Sequence, residues 1–497
     1  MELSHIDLYV IGAFFLLMLL IGFWSYFKNN SAEDYFVAGG KLPWWLSGIS
    51  HHVSGYSGAV FVAYAALAYT HGFSLYVWWA FTIGFTIVIS ARIFPVYWVR
   101  LRKKFKIQSP LEYLATRYNV LTQQIMAWSG VLLKLFDVGA KWAAIAILLN
   151  GFTGLPLSTG ILISGGISLI YITFGGLWAV IITDFTQFIV QIVAGLIMFV
   201  VVVQRLGGME SIFGVWEQLP EDNSQFFNEP YTILFALAFL LINFLSYNGG
   251  SWNLATRYIS SPNEQQASKA AILSGVLYLI WPLFLFFPMW AAPVILPGLD
   301  DPSQSYAALT LELLPPGLIG LVIASLFANT MSMTSSDVNT ISAVITRDIL
   351  PVVSTKFIDE RRSLTTARIT TFVFTFLTIA VALQQDRFGG VLGLIISWFG
   401  ALLGPIAVPM LFGLLPAFQG CGPKTAISSI FAGLFTFVIT KNVEIGSMAV
   451  EIGLPMAVSV LVYITSGFVN RGQAPTHVNQ LLDSIQDNKH EKHNTKI

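Results

Sequence analysis

Charge is scarce in this chain. Only 10% of its 497 residues are charged, against about 25% in an ordinary soluble domain. With 55% hydrophobic and 14% aromatic residues, the apolar content exceeds what a soluble core absorbs, which implies an all-α polytopic membrane protein with the lipid bilayer as its solvent. Cysteine is almost missing. Cys421 stands alone, which excludes an intrachain disulfide and a cysteine-cluster metal site. Net charge is +0, so no surplus of positive charge calls for nucleic acid. No GxxxxGK[ST] run is present, so an ATP-driven pump is not indicated, and the HExxH and nucleophile-elbow patterns of membrane enzymes are missing too.

What is present is a succession of apolar runs. Thirteen segments are each long enough for a membrane helix of about 20 residues: 7–27, 44–71, 75–99, 122–150, 157–174, 176–204, 231–256, 268–296, 316–347, 364–385, 389–417, 423–441 and 446–469. The first is not a signal peptide, which carries its basic residues ahead of the apolar run. Here Glu2 and Asp7 lead and Lys28 follows, so a retained helix with its N-terminus outside is expected. Loop charge sets orientation. Arg100, Arg102, Lys103, Lys104, Lys106 and Arg117 place the loop 100–117 in the cytoplasm, as do Arg257 and Lys269 for 257–269. Arg347, Lys356, Arg361 and Arg362 do the same for 347–363, while Glu210, Glu217, Glu221, Asp222, Asp300 and Asp301 make alternate loops acidic. Thirteen crossings then leave the polar tail, 471–497, as a solvated cytoplasmic segment. It is too short for a signalling module, which argues against a transporter-like membrane sensor.

Two spans carry polar residues in their middle. Residues 47–61 read SGISHHVSGYSGAVF and residues 243–253 read NFLSYNGGSWN. Backbone at membrane depth must be satisfied, so unwound helix is tolerated only where protein buries it or a cavity adjoins it. Interrupted spans at matching places in two halves indicate inverted repeats with a site at the midplane. Freed carbonyls there suit a cation, and the break serines Ser54 and Ser57 suit a solute. His51 and His52 are adjacent, about 100° apart on a helix, so a structural or gating role is expected of them rather than metal binding. The fourth span holds Lys134, Asp137 and Lys141, which share a face at i−3, i and i+4. Charges at that depth pair or mark an ion or solute path. One lysine can pair with Asp137. The other has no local partner, and either joins another helix or receives an anionic group of a solute.

Three further stretches carry a resemblance. Residues 35–45 (YFVAGGKLPWW), 174–187 (FGGLWAVIITDFTQ) and 326–350 (LFANTMSMTSSDVNTISAVITRDIL) resemble, in order, motifs of the sodium:solute symporter family. That family includes sodium–sugar, sodium–proline and sodium–sialic acid cotransporters. The resemblance implies a LeuT-type fold: one leading helix, two inverted five-helix repeats and two trailing helices. The expected divisions are 1–43, 44–204, 205–417, 418–470 and 471–497. It implies Na+ as the coupling ion, held at a main site by the carbonyls of Val53 and Tyr56 with Asn329 and Ser332. Met333 stands where the family has a hydroxyl, and a thioether is a poor ligand for a hard cation. A second ion site would use Ser332, Ser335, Ser336 and Asp184. The solute positions fall on Ala59 and Val60, which lack the sugar branch's polar groups, on Ser251, Trp252 and Asn253, and on Ser397 and Trp398. The expected activity is sodium-driven uptake of a small solute, a sugar or sugar acid, by a chain able to work as a monomer in the plasma (inner) membrane. The alternative is a proton-coupled or altered-stoichiometry carrier for an amino acid or carboxylate.

Overall fold

The computed structural model describes residues 3–354, 360–384, 404–443, 447–469 and 474–486, and helices make up their regular structure. Among these residues eight helices are long and apolar enough to cross a membrane, and a pair bent by 55° makes a ninth span. The chain starts with α1 (His5–Tyr26), then α2 (Trp44–Val53) and α3 (Ala63–His71), the halves of a broken span. The bent pair is α4 (Tyr76–Ser90) and α5 (Phe94–Phe105). After α6 (Val120–Thr153) and α7 (Leu157–Arg205) comes a second broken span, α8 (Ile233–Gly250) and α9 (Trp252–Ile259). There follow α10 (Glu264–Ile295), α11 (Leu318–Val353) and α12 (Glu360–Ala382). The last are α13 (Gly404–Phe412), α14 (Pro423–Asn442), α15 (Met448–Val469) and α16 (Thr476–Gln486). The expected span 389–417 lies outside the described residues as far as position 403.

Two expected spans, 157–174 and 176–204, meet inside α7. Gly176 sits there at φ +54°, a region that favours glycine. A Cβ at this position would come within 2.6 Å of the Tyr35 ring. The same tyrosine donates to the carbonyls of Ile172 and Thr173, at 3.2 and 3.1 Å, and Asn29 Nδ2 donates to Gly175 O at 2.7 Å. Side chains from the α1–α2 connection thus take up carbonyls that the kink frees.

Both polar stretches are real breaks. After Val53 the chain leaves the helix through Ser54–Ser57 and re-enters it by a short turn, Gly58–Phe61. Its backbone is held by neighbours: Tyr278 OH donates to His52 O at 2.8 Å, and Thr330 Oγ1 accepts from Gly58 N at 2.9 Å. In the second break Gly249 adopts φ +121°, and a Cβ there would fall 2.5 Å from Trp98 Nε1. That indole donates to Asn248 O at 2.9 Å.

Helix α11 runs through the centre, packed on α7, α6, α1 and α12, with nearly all its side chains buried. Basic stretches meet at one end of the bundle. Lys103 pairs with Glu264 at 3.0 Å, Arg347 with Glu112 at 3.4 Å, and Arg102 donates to Ile259 O and Ser261 O at 2.6 and 2.8 Å. The tail departs from expectation here. Residues 476–486 form α16, which buries Val478, Leu481, Leu482 and Ile485 against α5 and the short helix Glu112–Arg117. Arg100 Nη1 donates to Ile485 O at 2.6 Å, and Lys104 donates to Ser484 O. The apolar spacing of 3, 1 and 3 residues makes one helical face, which outweighs the polar composition. Residues 487–497 lie outside the described set.

Candidate ion and solute site

Between the breaks α2, α7, α9 and α11 converge on one carboxylate. Asp184 of α7 is fully buried. Its Oδ1 accepts from Ser332 Oγ at 2.6 Å, and its Oδ2 accepts from Ser50 Oγ. Ser336 Oγ lies 2.9 Å from Ser54 Oγ, and Ser335 Oγ donates to Ser332 O at 3.0 Å. Asp184, Ser332 and Ser336 thus stand in one oxygen-rich cluster with Ser50 and Ser54, the last expected on the solute side, while the Ser335 hydroxyl turns back onto its own helix. Val53 ends α2 beside the cluster, its carbonyl accepting from Tyr56 N at 3.1 Å. Asn329 Nδ2 donates to Ser325 O at 2.7 Å, while Asn329 Oδ1 has no hydrogen-bond partner among the described residues.

A cation of the chain's own lies in this cluster. Arg257, fully buried on α9, sends Nε to Ser50 Oγ at 2.6 Å and Nη2 to Ser54 Oγ at 3.2 Å. The same Nη2 reaches Asp184 Oδ2 at 3.3 Å and donates to Ser336 Oγ. Its reading as a cytoplasmic loop charge is therefore corrected. Helix α9 continues past the break to Ile259, so Arg257 is one turn beyond Asn253 and points inward.

The fourth-span charges close into a second cluster. Lys134 contacts Asp137 Oδ2 at 2.6 Å and Asp337 Oδ1 at 2.9 Å. Lys141 contacts Asp137 Oδ2 at 2.8 Å and Asp337 Oδ2 at 2.7 Å. Asp337 of α11 is thus the partner that the local sequence did not supply. Across both clusters Asp137, Asp184 and Asp337 balance Lys134, Lys141 and Arg257.

A cluster of aromatic rings adjoins the breaks. Tyr56 stacks on Tyr278 at 5.4 Å with rings 9° apart, and Trp79 meets Tyr56 edge-on at 5.3 Å. Tyr247, at the second break, lies 5.3 Å from Tyr278. The Tyr56 hydroxyl and both His52 ring nitrogens are buried without a hydrogen-bond partner among the described residues. His51 is tied down: Nδ1 lies 2.8 Å from Ser274 Oγ, and Nε2 lies 3.3 Å from Tyr247 O. A carbonyl only accepts, so Nε2 carries the proton and Nδ1 accepts from Ser274. His51 thereby links the two breaks.

The remaining solute positions are spread out. Val60 is buried, Ser57 half-buried, and the Ala59 side chain is outside the described set. Ser251 precedes α9, Trp252 packs on Gly130 of α6, and Asn253 Nδ2 reaches Ser54 O at 3.4 Å. Ser397 and Trp398 fall outside the described residues. Arg257, Ser50, Trp79, Tyr247 and Tyr278 were missing from the sequence-derived site. Ser50 and Tyr247 lie within the two quoted polar stretches and Arg257 is spaced i, i+4 from Asn253, whereas Trp79 and Tyr278 left no signal.

Comparison with known proteins agrees with this architecture. The chain is 27% identical over 361 residues to a sodium/sialic acid symporter of Aliivibrio fischeri, covering 69% of this chain and 70% of that one. A sodium/glucose cotransporter of Vibrio parahaemolyticus is also 27% identical, over 70% of this chain and 69% of its own. The human sodium/iodide cotransporter is 26% identical over 85% of this chain and 68% of its own. Among solved structures, a Na+-coupled sialic acid symporter in its substrate-bound outward-open state superposes with a TM-score of 0.82 at 22% identity, over 94% of this chain and 97% of that one. The nucleobase-cation-symport-1 transporter Mhp1, closed on bromovinylhydantoin, gives 0.59 at 15% identity, over 92% and 99%. These likenesses show the LeuT-type fold. A sequence model of one family matches residues 35–433, from the stretch that braces the α7 kink to the middle of α14. This chain, with its two broken spans and its buried oxygen cluster, belongs to the sodium:solute symporter family.

Proposed function

We propose that the chain is a sodium-coupled secondary active symporter that imports a small organic solute by alternating access. The observation that carries this reading is the cluster of Asp184, Ser332 and Ser336, with Ser335 beside it on α11, between two helix breaks. Oxygen donors are what a hard cation prefers, and an intramembrane carboxylate marks an ion path. Sodium is here cargo as well as driving force. The ring cluster of Tyr56, Trp79, Tyr247 and Tyr278 would supply apolar walls for a small-solute site. In this reading 44–204 and 205–417 are the two repeats, a single chain suffices, and the basic end of the bundle faces the cytoplasm of the inner membrane.

The solute in this reading is a sugar or sugar acid. Relatives named for sialic acid and for glucose support it. Charge supports the acid: the site's three carboxylates and three cations already balance, so an entering sodium leaves a surplus that an anionic solute neutralises, with Lys134 or Lys141 as its contact. One observation favours a second reading. The Arg257 guanidinium engages Asp184 and Ser336, which, with Met333 standing where the family has a hydroxyl, suits a carrier of altered stoichiometry or one driven by protons.

Paired competitors test the solute class. Uptake into proteoliposomes is inhibited by glucose and by glucuronate, in wild type and in Lys134→Met and Lys141→Met. A preference for the acid that shrinks in either variant supports the reading. A ratio unchanged in both, or competition by amino acids alone, refutes it.

A further inference from the structure

Arg257 holds the same atoms that the sodium reading assigns to the ion. Its Nη2 contacts Asp184 Oδ2 at 3.3 Å and Ser54 Oγ at 3.2 Å, and donates to Ser336 Oγ. A hydroxyl oxygen offers two acceptor positions. At Ser336 the guanidinium takes one, and Ser54 Oγ stands 2.9 Å away to engage the hydroxyl as well. At Asp184, Oδ2 already serves both Ser50 and Arg257. A sodium ion coordinated by Ser336 and Asp184 would sit against a positive guanidinium in a buried site, where like charges repel strongly.

Resting on the sodium-coupled reading, we propose that Arg257 is a tethered competitor of the coupling ion: its guanidinium holds Asp184 and Ser336 in the ion-free protein and must leave them when sodium binds. The arginine belongs to α9, the short inner half of the second broken span. The second-site oxygens of Asp184, Ser332, Ser335 and Ser336 are on α7 and α11, which pack on one another. Ion entry therefore pushes on α9 and not on the helices that supply the ligands. Nη1 of Arg257 makes no hydrogen bond among the described residues, and Asp337 directly follows Ser336 on α11. Both Asp337 oxygens are held by Lys134 and Lys141, so an anionic solute at either lysine would release a carboxylate for the displaced guanidinium to turn to. Coupling of ion to solute then runs through the position of one side chain. An arginine suits this role because it stays charged throughout.

The test is sodium binding read apart from transport. Protein purified in detergent is titrated with sodium against choline at constant ionic strength, and half-saturation is taken from thermal stabilisation. Arg257→Gln removes the competing charge, so its half-saturation should fall at least tenfold below wild type, with Arg257→Lys in between. An unchanged or raised value in Arg257→Gln overturns the proposal while leaving sodium coupling intact. No sodium effect in either protein overturns the sodium reading and the proposal with it. Should Arg257→Gln not fold, hydrogen–deuterium exchange of wild type decides. Amides of residues 252–261 should exchange at least threefold faster in sodium than in choline, and equal rates overturn the proposal.

Discussion

Asp337→Asn removes one of the two carboxylates that hold the buried lysines. In wild type Asp337 lies 2.9 Å from Lys134 and 2.7 Å from Lys141, and Asp137 lies 2.6 and 2.8 Å from the same two ammonium groups. All four side chains are about nine-tenths buried or more. The variant therefore leaves two cations sharing one anion. Breaking a buried pair by removing one partner costs about 3–5 kcal/mol, because the remaining charge is uncompensated. The second change, Lys141→Met, restores neutrality while keeping most of the volume. The double variant should be more stable than Asp337→Asn alone, with a coupling energy within the roughly 0.5–3 kcal/mol seen for residues in direct contact. The assay is thermal unfolding of both single variants and the double variant in one detergent, monitored by tryptophan fluorescence. If Asp337→Asn unfolds with wild type, or if the two changes add without coupling, the four groups do not form a balanced unit and the charge argument for an anionic solute falls.

Three further outcomes follow from the same geometry. Asp184→Asn removes a charged ligand, worth about 1.5–3 kcal/mol for a charge-assisted contact, so the sodium needed for half-maximal uptake should rise roughly tenfold to hundredfold; a wild-type value refutes the assignment. Burial pushes the Cys421 thiol up to about 11, with Arg117 acting in the opposite direction. The thiolate is the reactive form, so folded protein at neutral pH should resist maleimide, labelling only at high pH or on unfolding. Leu481→Asp places a charge in the buried face of α16 and should expose the segment near 474–486 to protease while the rest of the chain stays intact; unchanged resistance would show that α16 is held by other contacts.

The two breaks were legible because Gly, Ser and Asn together weaken an apolar helix, and lipid tolerates the freed backbone only where protein or a cavity receives it. The stretches around Tyr35 and Gly176 were legible too, and their physical reason came only with the fold, where the tyrosine caps carbonyls freed by the glycine kink. Asp337 stood visibly beside Ser336, but its bond to Lys141 spans 196 positions, and no local pattern carries that pairing. Trp79 and Tyr278 were hidden for the opposite reason: an aromatic in an apolar helix looks the same whether it faces lipid or a site. Arg257 was misplaced because loop-charge counting treats every basic residue near a span end as solvated. In α16 the spacing of Val478, Leu481, Leu482 and Ile485 marks one apolar face, which the polar residues around it obscure.

The most direct test of the central claim uses purified protein in proteoliposomes with an imposed sodium gradient and equal pH on both sides. Inward sodium should drive a sugar or sugar acid above its external concentration, lithium and choline gradients should not replace it, and Asp184→Asn with Ser336→Ala should abolish the accumulation. Accumulation that ignores sodium and follows an imposed pH gradient, or that survives loss of both Asp184 and Ser336, would contradict the claim.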